Sequence, residues 1–139
     1  MTSLWTRTAD PVQSQPWDGR RPDVVIVGAG ITGLSTALLL ARAGRDVAVV
    51  DAGEVAHLAS GSNTGKLSLL QGSVLSTLRA HHPASLVRAY VDANRDGAQW
   101  LTAFATEAGV PFTRRTAYSY AQSAAGGKTV AAEMEAARE

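Results

Sequence analysis

Residues 24–33 read Val24-Val-Ile-Val-Gly-Ala-Gly-Ile-Thr-Gly33. Four β-branched residues in a row, stopped at once by glycine, predict a short buried strand of a parallel sheet. The next six residues, Gly28 to Gly33, spell GxGxxG. Such a hexamer carries little by itself; its surroundings decide. Downstream, Leu34, Ala37, Leu38 and Ala41 recur at i, i+3, i+4 and i+7, which predicts a helix packed through small residues and stopped near Gly44. Residues 47–51, Val-Ala-Val-Val-Asp, predict a second apolar strand. Strand, glycine turn, helix and strand make a βαβ unit, whose crossover is nearly always right-handed.

Each part of that unit has a physical task in holding an adenine dinucleotide. Gly28 permits the tight turn out of the strand. Gly30 lacks a Cβ and so admits a pyrophosphate to the backbone, and Gly33 lets helix and strand approach. Backbone N–H groups of Ala29, Ile31 and Thr32 lie where the helix dipole favours an anion. Asp51, eighteen residues past Gly33, ends the second strand, where a carboxylate accepts both hydroxyls of an adenosine ribose and repels a 2′-phosphate. Ala52, beside it, is taken into the same candidate site. The motif alone leaves NAD and FAD both open.

The segment Ser60-Gly-Ser-Asn-Thr-Gly-Lys66 bears on that choice. A P-loop needs four residues between its glycines and Ser or Thr after the lysine; here three separate Gly61 from Gly65, and Leu67 follows Lys66. The loop instead follows the second strand. Ser60, Gly61, Thr64 and Gly65 are small enough to bring further N–H groups to a pyrophosphate, and Lys66 offers a point charge. A solvated loop is the plainer alternative.

Working outward, residues 1–21 read as an arm broken by Pro11, Pro16 and Gly19, with Leu4, Trp5 and Trp17 available to pin it to a surface. Residues 22–139 form the rest. Residues 53–73 read as a loop with room for a short helix. A long helix is expected from His82, its N-cap, with Pro83 at the first position, running to Gly109. Alternation over 112–121 predicts a strand, Gly126-Gly127 a break, and 129–139 a final helix. That helix has no stop signal, and one βαβ unit with one further strand closes no sheet. The expectation is therefore an α/β fold: a Rossmann-like FAD/NAD(P)-binding βαβ unit, extra helices and one strand of a second region, the N-terminal part of something longer.

Composition removes whole classes of function. Lys and Arg number 13 against 12 acidic residues, a net charge of +1, so nucleic acid and anionic membrane surfaces are not expected partners. Cysteine is absent, which excludes disulfides, thiolate nucleophiles and thiolate metal sites in these residues. His57, His81 and His82 lack the spacing of a metal motif. No apolar run reaches the roughly 18 residues of a membrane span. Arg20-Arg21 does not begin a twin-arginine signal, because Pro22-Asp23 interrupts it, and the cytoplasm is the expected compartment.

The run Val24–Asp51 followed by Ser60–Lys66 resembles the N-terminus of FAD-dependent oxidoreductases of the glycine oxidase/D-amino acid oxidase superfamily. Ser3-Leu4-Trp5 with Thr8-Ala9, the stretch Asn63 to Ser68, and Arg114-Arg115 leading into 117–121 are similar to the subgroup with a C-terminal Rieske domain. The resemblance implies FAD as cofactor, with Gly28 to Gly33, Asp51, Ala52, Ser60, Gly61, Thr64, Gly65 and Lys66 around it. It implies a small amine or amino-acid-like substrate, oxidised by hydride transfer to the flavin. The family's substrate domain and flavin-closing segment have no counterpart here, and without cysteine this chain holds no Rieske cluster. No catalytic residue is assigned. Two alternatives stand beside this: an NAD-binding dehydrogenase domain, which has no need of the 60–66 loop, and an inactive fragment.

Other conspicuous residues take plainer readings. His81-His82 suit capping of a helix start and solvent exposure, Tyr118 and Tyr120 suit packing, and Trp100 suits packing or an interface. Arg114 and Arg115 face opposite ways on a strand, so at most one of them meets a substrate carboxylate.

Overall fold

The computed structural model describes residues 3–138. The chain divides into two compact units that part between Lys66 and Leu67. The first holds a short helix α1 (Leu4–Thr8), strand β1 (Val24–Val27), helix α2 (Ile31–Arg42), strand β2 (Val47–Val50) and a single 3-10 turn (Ala59–Gly61). The second is all helical: α3 (Val74–His81), α4 (Ala84–Glu107) and α5 (Ala124–Ala136).

In the first unit β1 and β2 pair in parallel, with Val24 opposite Val47 and Val27 opposite Val50. The Gly28 N–H continues the ladder onto the Val50 carbonyl at 2.7 Å. Helix α2 returns the chain across the sheet and stops where the sequence predicts, with Gly44 at φ +79° and the Arg45 N–H on the Leu40 carbonyl at 3.0 Å. The close approach is made at Gly33, where a Cβ would lie 2.0 Å from the Gly28 carbonyl oxygen and 3.2 Å from Ile26 Cγ2. Only a residue without a side chain fits there.

One face of β1 stays bare, although Ala48, opposite Val25 on β2, is buried. Val24 and Ile26 are half-buried, but Val25 is 49% and Val27 85% exposed. The expectation of a buried strand is therefore corrected for one face of β1, which has no further strand at its side; β2 is buried or half-buried along its length. The arm is tied to the unit through Arg20, whose guanidinium meets Asp46 at 3.1 Å and the Val47 carbonyl at 2.9 Å.

In the second unit α3 packs against both α4 and α5, and Val87 and Ala136 are its buried apolar residues. Its N-terminus is closed by a carboxylate from α5: Glu133 Oε1 accepts the Leu75 N–H at 2.9 Å and Oε2 the Ser76 N–H at 2.8 Å. Trp100 and Phe104 stack on α4 with centroids 5.8 Å apart.

Four expectations for this unit are corrected. The strand over 112–121 does not form; those residues carry no regular structure, and Tyr118 and Tyr120 are 80% and 75% exposed rather than packed. A strand needs a partner edge, and among the described residues β1 and β2 pair only with each other. Residues 74–81, given no element by the sequence reading, are helix. His82 is the C-cap of α3, not the N-cap of α4; Pro83 takes that place. Gly126-Gly127 are not a break ahead of the last helix but lie in the first turns of α5, where Ser123 Oγ accepts the Gly126 N–H at 3.1 Å.

No helix among the described residues is long and apolar enough to cross a membrane. None of their His, Asp or Glu gather in threes that would hold a metal ion.

Candidate functional site

The C-terminal ends of β1 and β2 lie side by side because the strands are parallel and in register. The residue after each strand therefore meets the other. Gly28 turns the chain at φ +105°, and open space surrounds the position its Cβ would take. Asp51 then faces the turn. Its Oδ2 accepts the Ala29 N–H at 2.6 Å, and its Oδ1 accepts the Gly53 N–H at 2.8 Å.

Those N–H groups, Ala29's first and Gly53's next, hold the Asp51 carboxyl below the ordinary aspartate range against the opposing effect of desolvation. Asp51 is thus the charged brace of the glycine turn. A carboxylate offers about four acceptor positions, so capacity remains for a hydroxyl donor.

The loop after β2 is folded back onto the same turn. The Ala56 N–H donates to the Ala29 carbonyl at 3.0 Å, and Ala56 adopts φ +58°, a left-handed conformation unusual for alanine. Ser60 Oγ accepts the Ile31 N–H at 2.9 Å. A hydroxyl that accepts there has its own O–H left to donate. Gly61 is buried, with a Cβ position 2.1 Å from the Ala56 carbonyl oxygen. The Asn63 side chain braces the loop internally, donating to the Ser60 carbonyl at 2.5 Å and accepting the Gly65 N–H at 2.6 Å.

The structure thus brings together Gly28 to Gly33, Asp51 and Ser60, with Gly61 one residue behind. Thr64, Gly65 and Lys66 continue the loop along the surface, and Lys66 is exposed. Ala52 sits next to Asp51 and is exposed. A cleft of about 720 Å³ opens beside Asp51, lined by Ala29, Leu34, Gly53 and Val55 and by the arm around Trp17.

This arrangement fits an adenosine-diphosphate group on three counts. The space around Gly28 is open. Of the N–H groups expected to face an anion, those of Ala29 and Ile31 are instead taken by Asp51 and Ser60, while those of Thr32 and Gly33, in the first turn of α2, have no acceptor within the helix. The carboxylate at the end of β2 is charged and has spare acceptor capacity.

Three residues of the site had no decisive sequence signal. His57 lies over Gly53, with its Nδ1 2.7 Å from the Glu54 carbonyl and 3.8 Å from Asp51 Oδ1. Ala56 stands where glycine or asparagine would have announced the turn. Trp5 reaches the 60–66 loop from the far end of the unit's sequence, its indole N–H on the Asn63 carbonyl at 2.7 Å.

Residues 23–139 match the family described as DAO, FAD dependent oxidoreductase. Gamma-glutamylputrescine oxidoreductase of Escherichia coli (strain K12) is 56% identical over 45 residues, 32% of this chain and 11% of its own length. Probable oxidoreductase OrdL of Rhizobium meliloti (strain 1021) is 49% identical over 47 residues, 34% of this chain and 11% of its own. Putative Rieske 2Fe-2S iron-sulfur protein YhfW of Bacillus subtilis (strain 168) is 27% identical over 85 residues, 61% of this chain and 17% of its own. Each match thus spans less than a fifth of the curated relative's length. No solved structure matches the chain.

Proposed function

The chain belongs to the FAD-dependent oxidoreductase (DAO) family, and we propose that residues 28–66 are the adenosine-diphosphate grip of its flavin site. The observation that carries this reading is the double engagement of Asp51, which fixes a charged carboxylate at the end of β2 against the glycine turn.

In this reading the fold is Rossmann-like in its first unit. The Thr32 and Gly33 N–H groups and the Ser60 hydroxyl donate to pyrophosphate oxygens, and Lys66 adds positive charge beside them. The remaining acceptor capacity of Asp51 takes a ribose hydroxyl, and its charge repels a 2′-phosphate. Bound flavin supplies the hydride acceptor; these residues hold and orient it.

The substrate in this reading is a small amine or amino-acid-like molecule, oxidised at the C–H beside its nitrogen. A relative whose name joins an oxidoreductase to gamma-glutamylputrescine supports that class. A Rieske partner belongs to this reading only through a further domain, and the likeness to a putative Rieske protein is what supports it.

The test is the visible absorption spectrum of the purified chain after incubation with FAD and removal of free ligand, with mass spectrometry of what heat releases. Flavin bands and released FAD are expected. A colourless protein that retains NAD instead would assign the unit to a dehydrogenase.

A further inference from the structure

We propose that residues 3–8 are a latch that holds the 60–66 loop in its anion-facing shape, with Trp5 as its positioning residue. The proposal rests on the nucleotide reading above and adds a determinant outside the glycine turn and Asp51.

Helix α1 spans five residues. A helix that short does not stand in water without packing, because nucleation is costly. Its own support is local: Ser3 Oγ caps it by accepting the Thr6 N–H at 3.1 Å. Its remaining contacts go to the loop, across 58 residues of chain. The Ser3 hydroxyl donates to the Gly61 carbonyl. The Trp5 indole N–H donates to the Asn63 carbonyl at 2.7 Å. The Trp5 ring lies against Gly65, where a Cβ would sit 2.5 Å from Cζ2, and the Thr6 methyl lies 3.1 Å from the Cβ position of Gly61.

Gly65 therefore has its open side filled by the arm, while Gly61 stands between the Thr6 methyl and the Ala56 carbonyl oxygen, 2.1 Å from its Cβ position. That is a steric reason for glycine at both positions, independent of any ligand, and at Gly65 it comes from the arm.

The contacts reach the helix start in short steps. Trp5 holds Asn63 through its carbonyl, and the Asn63 amide holds the Ser60 carbonyl at 2.5 Å. Ser60 Oγ in turn takes the Ile31 N–H at 2.9 Å. A loop left to itself loses backbone entropy at every residue it orders on a ligand. A loop already held by the arm does not incur that loss on binding, so the latch raises affinity through preorganisation. By linkage, a bound nucleotide must tighten the latch by the same factor.

The test uses the 139-residue chain, ADP as probe and calorimetric titration, with amide hydrogen exchange on the same samples. Trp5→Ala is expected to weaken ADP binding about tenfold or more. Trp5→Phe keeps a ring against Gly65 but loses the N–H to Asn63, so it should fall between. Saturating ADP should slow exchange at residues 3–9 of the unsubstituted chain, an effect that a merely structural arm would not show. Should Trp5→Ala fail to fold, Trp5→Phe and the ADP-dependent protection decide. Unchanged ADP affinity in the Trp5 variants, with no protection of the arm, overturns the latch and leaves the nucleotide reading standing. No binding of ADP by the unsubstituted chain overturns the nucleotide reading, and the latch's role with it.

Discussion

The Ala29 N–H donates to Asp51 Oδ2 at 2.6 Å, joining the glycine turn after β1 to the end of β2 across 22 residues of sequence. The Gly53 N–H takes the other oxygen at 2.8 Å, so one carboxylate fixes the entry to α2 and the loop that follows β2. Asn at this position keeps the shape but offers one oxygen where two N–H donors converge. One N–H would then face an amide N–H₂. Asp51→Asn is expected to weaken ADP binding by about tenfold or more, measured by calorimetry. It should also speed amide exchange at Ala29. Unchanged affinity would remove Asp51 from the site.

Acid should loosen both units through two different carboxylates. The Ala29 and Gly53 N–H groups keep the Asp51 carboxyl below its ordinary range. At Glu133 burial pushes the carboxyl up, but the backbone N–H and hydroxyl of Ser76 and the N–H of Leu75 outweigh it, and the net shift is down. An acid with a lowered folded pKa binds fewer protons folded than unfolded. Its contribution is present above the unfolded values, about 3.9 for Asp and 4.3 for Glu, and is lost as pH falls through the lower folded values. The urea midpoint should therefore fall as pH is lowered below about 5. The double variant Asp51→Asn, Glu133→Gln should show a shallower fall; an identical slope would contradict these roles.

Backbone geometry around the turn predicts two glycine exchanges of opposite sign. Ala56 sits at φ +58°, so Ala56→Gly relieves strain and should stabilise the chain by about 1 kcal/mol. Gly33→Ala would set a Cβ 2.0 Å from the Gly28 carbonyl oxygen, with backbone on both sides of the clash. It should cost about 3 kcal/mol. Denaturant unfolding of the two variants checks both signs.

Glu133 closes the N-terminus of α3 from α5, accepting N–H groups of Leu75 and Ser76. Glu133→Ala leaves both without an acceptor and should destabilise the second unit by about 1 kcal/mol. Exchange should rise at those two amides, and along α3 before α4. Protection that survives the substitution would show that α3 does not depend on this carboxylate.

The legible part of the chain is the part whose signals are local. Val24 to Val27, the three glycines, the 3.6-residue spacing of α2, Gly44 and the carboxylate ending β2 all lie within one stretch of sequence, and each specifies its own conformation. Helix α3 was not legible because what closes its first turn is Glu133, 57 and 58 residues away. The alternating stretch 112–121 carries a strand's pattern, yet pattern alone cannot supply the pairing edge that a strand requires. The arm was readable as something pinned by tryptophan, but nothing local named Asn63 and Gly65 as its target. Ala56 gave no signal because alanine is not a residue that announces left-handed backbone.

The most direct test of the central claim compares four ligands on the purified chain by equilibrium titration: FAD, ADP, FMN and NAD. If residues 28–66 grip the adenosine-diphosphate half, FAD and ADP should bind within about tenfold of one another and FMN much more weakly. FMN binding as tightly as FAD, or a chain that takes NAD and refuses both FAD and ADP, would contradict the account.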